Sequence, residues 1–294
     1  MSNPYFIAAI GTPLDADERL DSEGLRAHLE DQRSGEMDGV LVAGTMGMMQ
    51  LLRDETYRDL VRQCTELWSG KGELFVGVGD ASFSRTRDRL RFVNQFPVDV
   101  TVVLAPYFMK FSQEQLIEYY RALADESRSP LYLYDLPQST GTSLTLETVS
   151  SLAKHPNIRG IKCSGDIAQV RVLIDALAGS NFRVIVAQPL IVDVLMRHGM
   201  RQHLDGVYAM FPAWVKQMKR VVLAEDWPAA ASLSQLIARV MPRLHHYGVL
   251  SAMTAILNSR GIAGNYAPRP YPQLTAAQRQ ALLQEPALHA LEPR

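Results

Sequence analysis

Of the 30 basic residues only six are lysines, and one of these, Lys162, closes an apolar run, Ile158-Arg159-Gly160-Ile161. The other five (Lys71, Lys110, Lys154, Lys216 and Lys219) lie in polar or helical surroundings, where a solvated surface role suffices. An ammonium carried to the end of a buried strand loses hydration worth several kcal/mol. Such a position favours the neutral amine, the form that condenses with a carbonyl to give a Schiff base. The competing reading is a lysine whose stem packs while its head reaches solvent or a carboxylate such as Asp166. Tyr134 closes the preceding run, Leu131-Tyr132-Leu133-Tyr134, and stands 28 residues upstream of Lys162. Neighbouring strands lie about 4.8 Å apart, so the two side chains can share one barrel mouth, where a phenol could shuttle protons. Otherwise it is a core aromatic with a satisfied hydroxyl. A third feature, Gly44-Thr45-Met46-Gly47, lies between an apolar run and a predicted helix. Glycines there let backbone N–H groups approach a carboxylate at a helix N-terminus, although such loops are often only turns.

These residues need a scaffold, and the chain supplies a repeating one. Apolar, β-rich runs begin near Phe6, Gly39, Leu74, Val98, Leu131, Ile158, Arg183 and Gly206, at intervals of 23 to 35 residues. That interval is one strand-plus-helix unit, and continuous apolar strands indicate a parallel sheet covered on both faces. Ser112 with Gln115 fits a capping box, and Asp166 can cap a helix carrying Val170, Leu173, Ile174 and Leu177. Leu146, Val149, Leu152 and Ala153 form a further apolar face ended by Pro156. Eight such units predict an α/β fold, a (β/α)8 TIM barrel over residues 1–224, with a doubly wound open sheet as the alternative. A C-terminal helical extension, 225–294, follows, with helical pieces near Pro228 to Leu257 and Thr275 to Leu283. Pro268-Arg269-Pro270-Tyr271-Pro272 reads as a rigid turn between two of them.

The chain has 294 residues, 47% hydrophobic and 21% charged, with a net charge of −1. That balance speaks against nucleic-acid binding, and no apolar run is long enough to span a bilayer. Two cysteines, Cys64 and Cys163, make no disulfide framework, and Met1-Ser2-Asn3-Pro4-Tyr5 has no leader character, so a cytoplasmic setting is expected. Gly77-Val78-Gly79 and Gly70-Lys71-Gly72 lack the frames of dinucleotide and P-loop sites, and the seven histidines show no zinc spacing.

Several stretches together resemble the dihydrodipicolinate synthase / N-acetylneuraminate lyase family of pyruvate-dependent aldolases. They are Gly11-Thr12-Pro13, Gly44-Thr45-Met46-Gly47, Pro106-Tyr107-Phe108, Tyr134-Asp135-Leu136-Pro137 with Thr140-Gly141, Gly160-Ile161-Lys162 and Arg269-Pro270. The resemblance implies a barrel with C-terminal helices assembled as a homo-oligomer, dimer or tetramer. It implies that Lys162 forms an imine with a 2-oxo acid, that Tyr134 transfers the proton, and that the hydroxyl of Thr45 contacts that tyrosine. Thr45, Met46 and Tyr208 are expected to meet the substrate. No metal or organic cofactor is needed for such chemistry.

The departures from the family pattern bear on specificity. Met46 replaces a hydroxyl residue that helps hold the substrate carboxylate, and Met48 replaces an acid. Phe108 stands for a second tyrosine, which shortens the hydroxyl relay to Thr45. Ser139 stands where the synthases carry a carboxylate-binding arginine, which speaks against aspartate semialdehyde as second substrate. The segment after Lys162 is one residue short, and Cys163 is expected to face away from the barrel interior as a packing residue. Met46, Met48, Met49, Phe108, Met109, Tyr208 and Met210 suggest a less polar substrate tail. The expected activity is a Schiff-base lyase or aldolase on a 2-oxo acid; a sugar-acid dehydratase and a non-catalytic 2-oxo-acid binder are the alternatives.

Overall fold

In a computed structural model, residues 3–291 are described; Met1, Ser2 and the last three residues of the expected extension lie outside them. Eight strands form a closed parallel barrel in the order β1 to β8. They are β1 (Tyr5–Ala9), β2 (Gly39–Val42), β3 (Glu73–Gly77), β4 (Val100–Leu104), β5 (Leu131–Asp135), β6 (Ile158–Cys163), β7 (Arg183–Val186) and β8 (Gln202–Asp205). Every residue of β2, β4 and β5 is buried. This is the two-sided burial that unbroken apolar strands require.

The chain divides into two compact units. One runs from Glu73 to Ala187 and holds β3 to β7. Its helices start where polar side chains can meet exposed backbone donors. Ser112 and Gln115 form a reciprocal capping box on Gln113–Glu126, Thr145 caps Leu146–Leu152, and Asp166 caps Ile167–Ala176 by accepting from the Ala168 N–H at 2.9 Å. Within this unit β5 and β6 pair irregularly: Leu131 faces Ile158 but Tyr132 faces Gly160, so Arg159 is an extra residue. From there the register runs Tyr134 to Lys162 and Asp135 to Cys163.

The other unit contains the chain up to Gly72 and from Gln188 onward, with β1, β2 and β8. Here the expected eighth strand is corrected. Gly206 to Met210 is a short, wholly buried helix, and the strand is the preceding Gln202–Asp205, paired with β1 from Tyr5 to Ala8. The Asp205 carboxylate accepts from the Val207 N–H at 2.9 Å, which turns the chain into a helix despite its β-rich composition.

The helices after residue 224 belong to this same unit. The expected piece from Pro228 to Leu257 is two helices, Trp227–Tyr247 and Val249–Ser259, broken at Gly248, whose φ of 78° suits glycine. Ala276–Leu283 has its own capping box from Thr275 and Gln278, and Pro286–Leu291 follows. Between Val249–Ser259 and Ala276–Leu283, Pro268 to Pro272 makes a turn in which the Tyr271 N–H donates to the Pro268 carbonyl at 3.0 Å. Among the described residues no helix is long and apolar enough to cross a membrane.

Candidate active site

The end of β5 and the end of β6 bring a phenol and an amine together. Lys162 Nζ donates to the Tyr134 hydroxyl oxygen at 2.7 Å, and the same nitrogen lies 3.9 Å from the centre of the Tyr134 ring. Only 5% of Lys162 and 2% of Tyr134 are exposed. Strand residues alternate in direction, and the next residues along, Asp135 and Cys163, face the helix Ile167–Ala176. Tyr134 and Lys162 therefore project from the face turned away from the helices. An amine held on a phenol in a dry site can act as a nucleophile with a proton carrier at contact distance.

The chain leaves β5 through a defined turn. Pro137–Thr140 is one helical turn ended by Gly141 in the left-handed region at φ 68°, and Thr140 Oγ1 donates to the carbonyls of Leu136 and Thr142 at 3.1 and 2.8 Å. Ser139, where an arginine is expected in the synthases, is exposed on this turn. Asp135, which sequence reasoning did not single out, is buried with its Oδ1 accepting from the Leu144 N–H at 3.0 Å and its Oδ2 from the Ser143 hydroxyl at 3.1 Å. Burial raises its pKa, and these two donors partly offset the rise. Cys163 is buried, and burial followed by the nearby Asp135 charge pushes its thiol pKa up, which suits a packing residue better than a nucleophile.

In the other unit, Thr45 and Met46 are half-buried in the segment after β2. This segment does not open directly onto a helix, which corrects the expectation of an anion seat at a helix N-terminus. Residues 44–51 form successive turns, with Met48 N–H donating to the Thr45 carbonyl at 3.2 Å, and the helix starts only at Asp54. Thr12 Oγ1 ties the segment down by donating to the Gly47 carbonyl at 2.7 Å. Met46 lies against Gly206, where an added Cβ would meet its sulfur at 2.9 Å. It also packs on a cluster of Met48, Leu250 and Ala267.

Tyr208, expected to meet the substrate, lies among core aromatics. It is fully buried, stacked on Trp214 at 5.9 Å and perpendicular to the Phe6 ring at 5.1 Å. The set of soft residues divides in the same way. Met48, Met49 and Met210 are buried, whereas Phe108 is 93% exposed and Met109 63%.

A buried acid at the end of β3 also escaped sequence reasoning. Asp80 bridges Arg85 at 3.1 Å and Arg89 at 3.2 Å, and its N–H donates to Thr86 Oγ1, which in turn accepts from the Tyr119 hydroxyl. Burial, then the Asp80 charge, raises the pKa of Tyr107. The signal for this network is an acid followed by arginines five and nine residues on.

Comparison with known proteins decides the family. The family model described as the dihydrodipicolinate synthetase family matches residues 4–286. The chain belongs to this family. Its members are class I aldolases and lyases that break or form carbon–carbon bonds. A 4-hydroxy-tetrahydrodipicolinate synthase of Stenotrophomonas maltophilia is 32% identical over 237 residues, covering 79% of this chain and 78% of the relative. Among solved structures, the dihydrodipicolinate synthase of Acinetobacter baumannii in complex with pyruvate aligns with a TM-score of 0.87 at 24% identity, covering 99% of each chain. A variant of the 2-keto-3-deoxygluconate aldolase of Sulfolobus solfataricus aligns with a TM-score of 0.87 at 20% identity, covering 98% of this chain and 96% of that one. These two structural likenesses establish the shared barrel.

Proposed function

We propose that this member of the family is a Schiff-base lyase or aldolase acting on a 2-oxo acid, pyruvate or an adduct derived from it. The observation that carries the reading is the buried contact between Lys162 Nζ and the Tyr134 hydroxyl at 2.7 Å. Lys162 attacks the ketone carbon of the substrate, forming a C–N bond while the carbonyl electron pair moves to oxygen. One proton from the attacking amine and a second carried by Tyr134 reach that oxygen, water leaves, and a protonated imine remains. Tyr134 then takes the proton of the substrate's 4-hydroxyl group, the C–C bond breaks as that carbon leaves as an aldehyde, and the imine accepts the electron pair to give an enamine. Protonation and attack of water then release the 2-oxo acid and restore the amine. Condensation runs the same steps in reverse.

On the family resemblance, Thr45 and Met46 belong to the region that takes the substrate carboxylate. Met46 offers no hydroxyl, so that task falls to the Thr45 side chain and to backbone amides of the turn. A lost hydrogen bond to a charged group is worth roughly 1.5–3 kcal/mol. The exposed Ser139 in place of an arginine favours a second substrate without the carboxylate of aspartate semialdehyde. The relatives named as 4-hydroxy-tetrahydrodipicolinate synthases favour a second reading, in which that synthase activity is retained.

Borohydride reduction in the presence of saturating pyruvate tests the imine. The expected result is a stable adduct on Lys162 by peptide mass spectrometry, absent from Lys162→Ala. No adduct on the wild-type chain would overturn the reading. Product analysis then separates the activities: aspartate semialdehyde with pyruvate, 2-oxo-3-deoxy sugar acids, and aryl 4-hydroxy-2-oxo acids, scored for condensation product, pyruvate or dehydration. Turnover by the wild type that is lost in Lys162→Ala excludes the non-catalytic alternative.

A further inference from the structure

The reverse side of the strand pair that carries Tyr134 and Lys162 is hollow. One residue further along each strand, Asp135 and Cys163 stand opposite each other and line a cavity of ≈ 380 Å³ under the helix Ile167–Ala176. This layer between strands and helices is ordinarily filled by side chains, and the volume falls in the range of small-molecule sites. Leu144, Leu146, Val170 and Leu173 supply apolar walls.

The charged groups that line the cavity share one sign. Asp135 and Asp166 are carboxylates, and among the described residues lining the cavity there is no lysine, arginine or histidine. Asp135 is 8% exposed, and its two hydrogen-bond donors are neutral, an amide N–H and a hydroxyl. Each carboxylate oxygen can accept more than one hydrogen bond. Gly165 borders Oδ2 with no side chain, and a Cβ built there would sit 3.4 Å from it. A buried carboxylate without a cation, at the edge of an apolar cavity, has an unmet electrostatic demand.

We propose that this cavity is a binding site for a small apolar primary amine, its ammonium on Asp135 and its hydrocarbon body between the strands and the helix Ile167–Ala176. A carboxylic acid of the same shape is repelled by the same two acids. The site is separate from the imine chemistry, because Lys162 projects from the opposite face of β6.

Calorimetric titration of the full chain with 2-phenylethylamine and with 3-phenylpropionate tests the assignment. The expected result is saturable one-site binding of the amine and none of the carboxylate. Asp135→Asn, which keeps an oxygen for the Leu144 N–H, should weaken the amine at least about tenfold, the scale of a lost charged pair. Ala168→Phe, at an exposed position on the first turn of the helix, should abolish binding by filling the cavity while leaving Asp135 in place. Lys162→Ala should leave the affinity unchanged, so that failure of the imine reading and failure of this one are told apart. Absence of amine binding, equal binding of the carboxylate, full affinity in Asp135→Asn, or loss of binding in Lys162→Ala would each overturn the proposal.

Discussion

At the scale of single residues, the pairing of Lys162 with Tyr134 was legible because both are polar residues closing apolar runs one repeat apart. What could not be read was how side chains of similar chemistry would be divided. Met48, Met210 and Tyr208 look like mouth residues by position but are buried, and Phe108, placed with them near the mouth, is almost wholly exposed. Methionine and tyrosine suit a core or a mouth equally well, so composition does not distinguish these outcomes. The structure sharpens one kinetic expectation. Tyr134→Phe removes the oxygen that Lys162 Nζ contacts at 2.7 Å while keeping the ring beneath it. Turnover should fall by about 10²–10⁴-fold, the usual worth of a positioned proton carrier, while borohydride trapping on Lys162 persists at a lower rate. Equal loss of turnover and trapping would point instead to a collapsed site.

At the scale of elements, seven of the eight strands were found from sequence, and the misplaced one is instructive. Gln202-His203-Leu204-Asp205 has too few apolar residues to announce a strand, yet it is held by pairing with β1. Tertiary pairing overrides local preference there. The capping signals at Ser112 and Asp166 were easier to read because a cap is satisfied within three residues of its own sequence. Gly160 shows how closely β6 is fitted. A Cβ at that position would meet the Tyr132 ring and come within 2.6 Å of the Arg183 carbonyl oxygen, a backbone atom. Gly160→Ala should therefore cost about 1–3 kcal/mol, read as a lower urea midpoint, and should slow trapping at Lys162 two residues away. Ser112→Ala, by contrast, should cost only about 1 kcal/mol and leave trapping unchanged.

At the scale of the whole molecule, the repeat of strand and helix was enough to predict the closed barrel, because unbroken apolar strands at that spacing allow few other arrangements. Acid sensitivity was hidden, since it depends on which histidines are enclosed. Burial holds His203 at a pKa of about 4 and, with a smaller effect from the Arg260 charge, His28 at about 3. Unfolded imidazoles take up protons near pH 6.5, where these folded ones do not. Stability from this source is complete above that pH and is lost as the pH falls. At pH 5 the loss is about 2 kcal/mol for each histidine. Urea midpoints at pH 7 and pH 5 should show this drop, and His203→Gln should show a smaller one. An unchanged midpoint would remove the histidines as its cause.

The extra residue at Arg159 has a consequence for how such an enzyme could be lost or gained. If the pairing of Leu131 with Ile158 ran on without interruption, Tyr134 would face Ile161, and the amine would be carried round with Asp135 to the helix side. A slip that pairs Arg159 with Tyr132 should therefore silence Lys162 without touching any reacting atom, whereas deleting Arg159 keeps Tyr134 opposite Lys162. A one-residue slip that swaps the inner and outer faces of a strand is a shorter route to an inactive paralogue than the replacement of its catalytic groups.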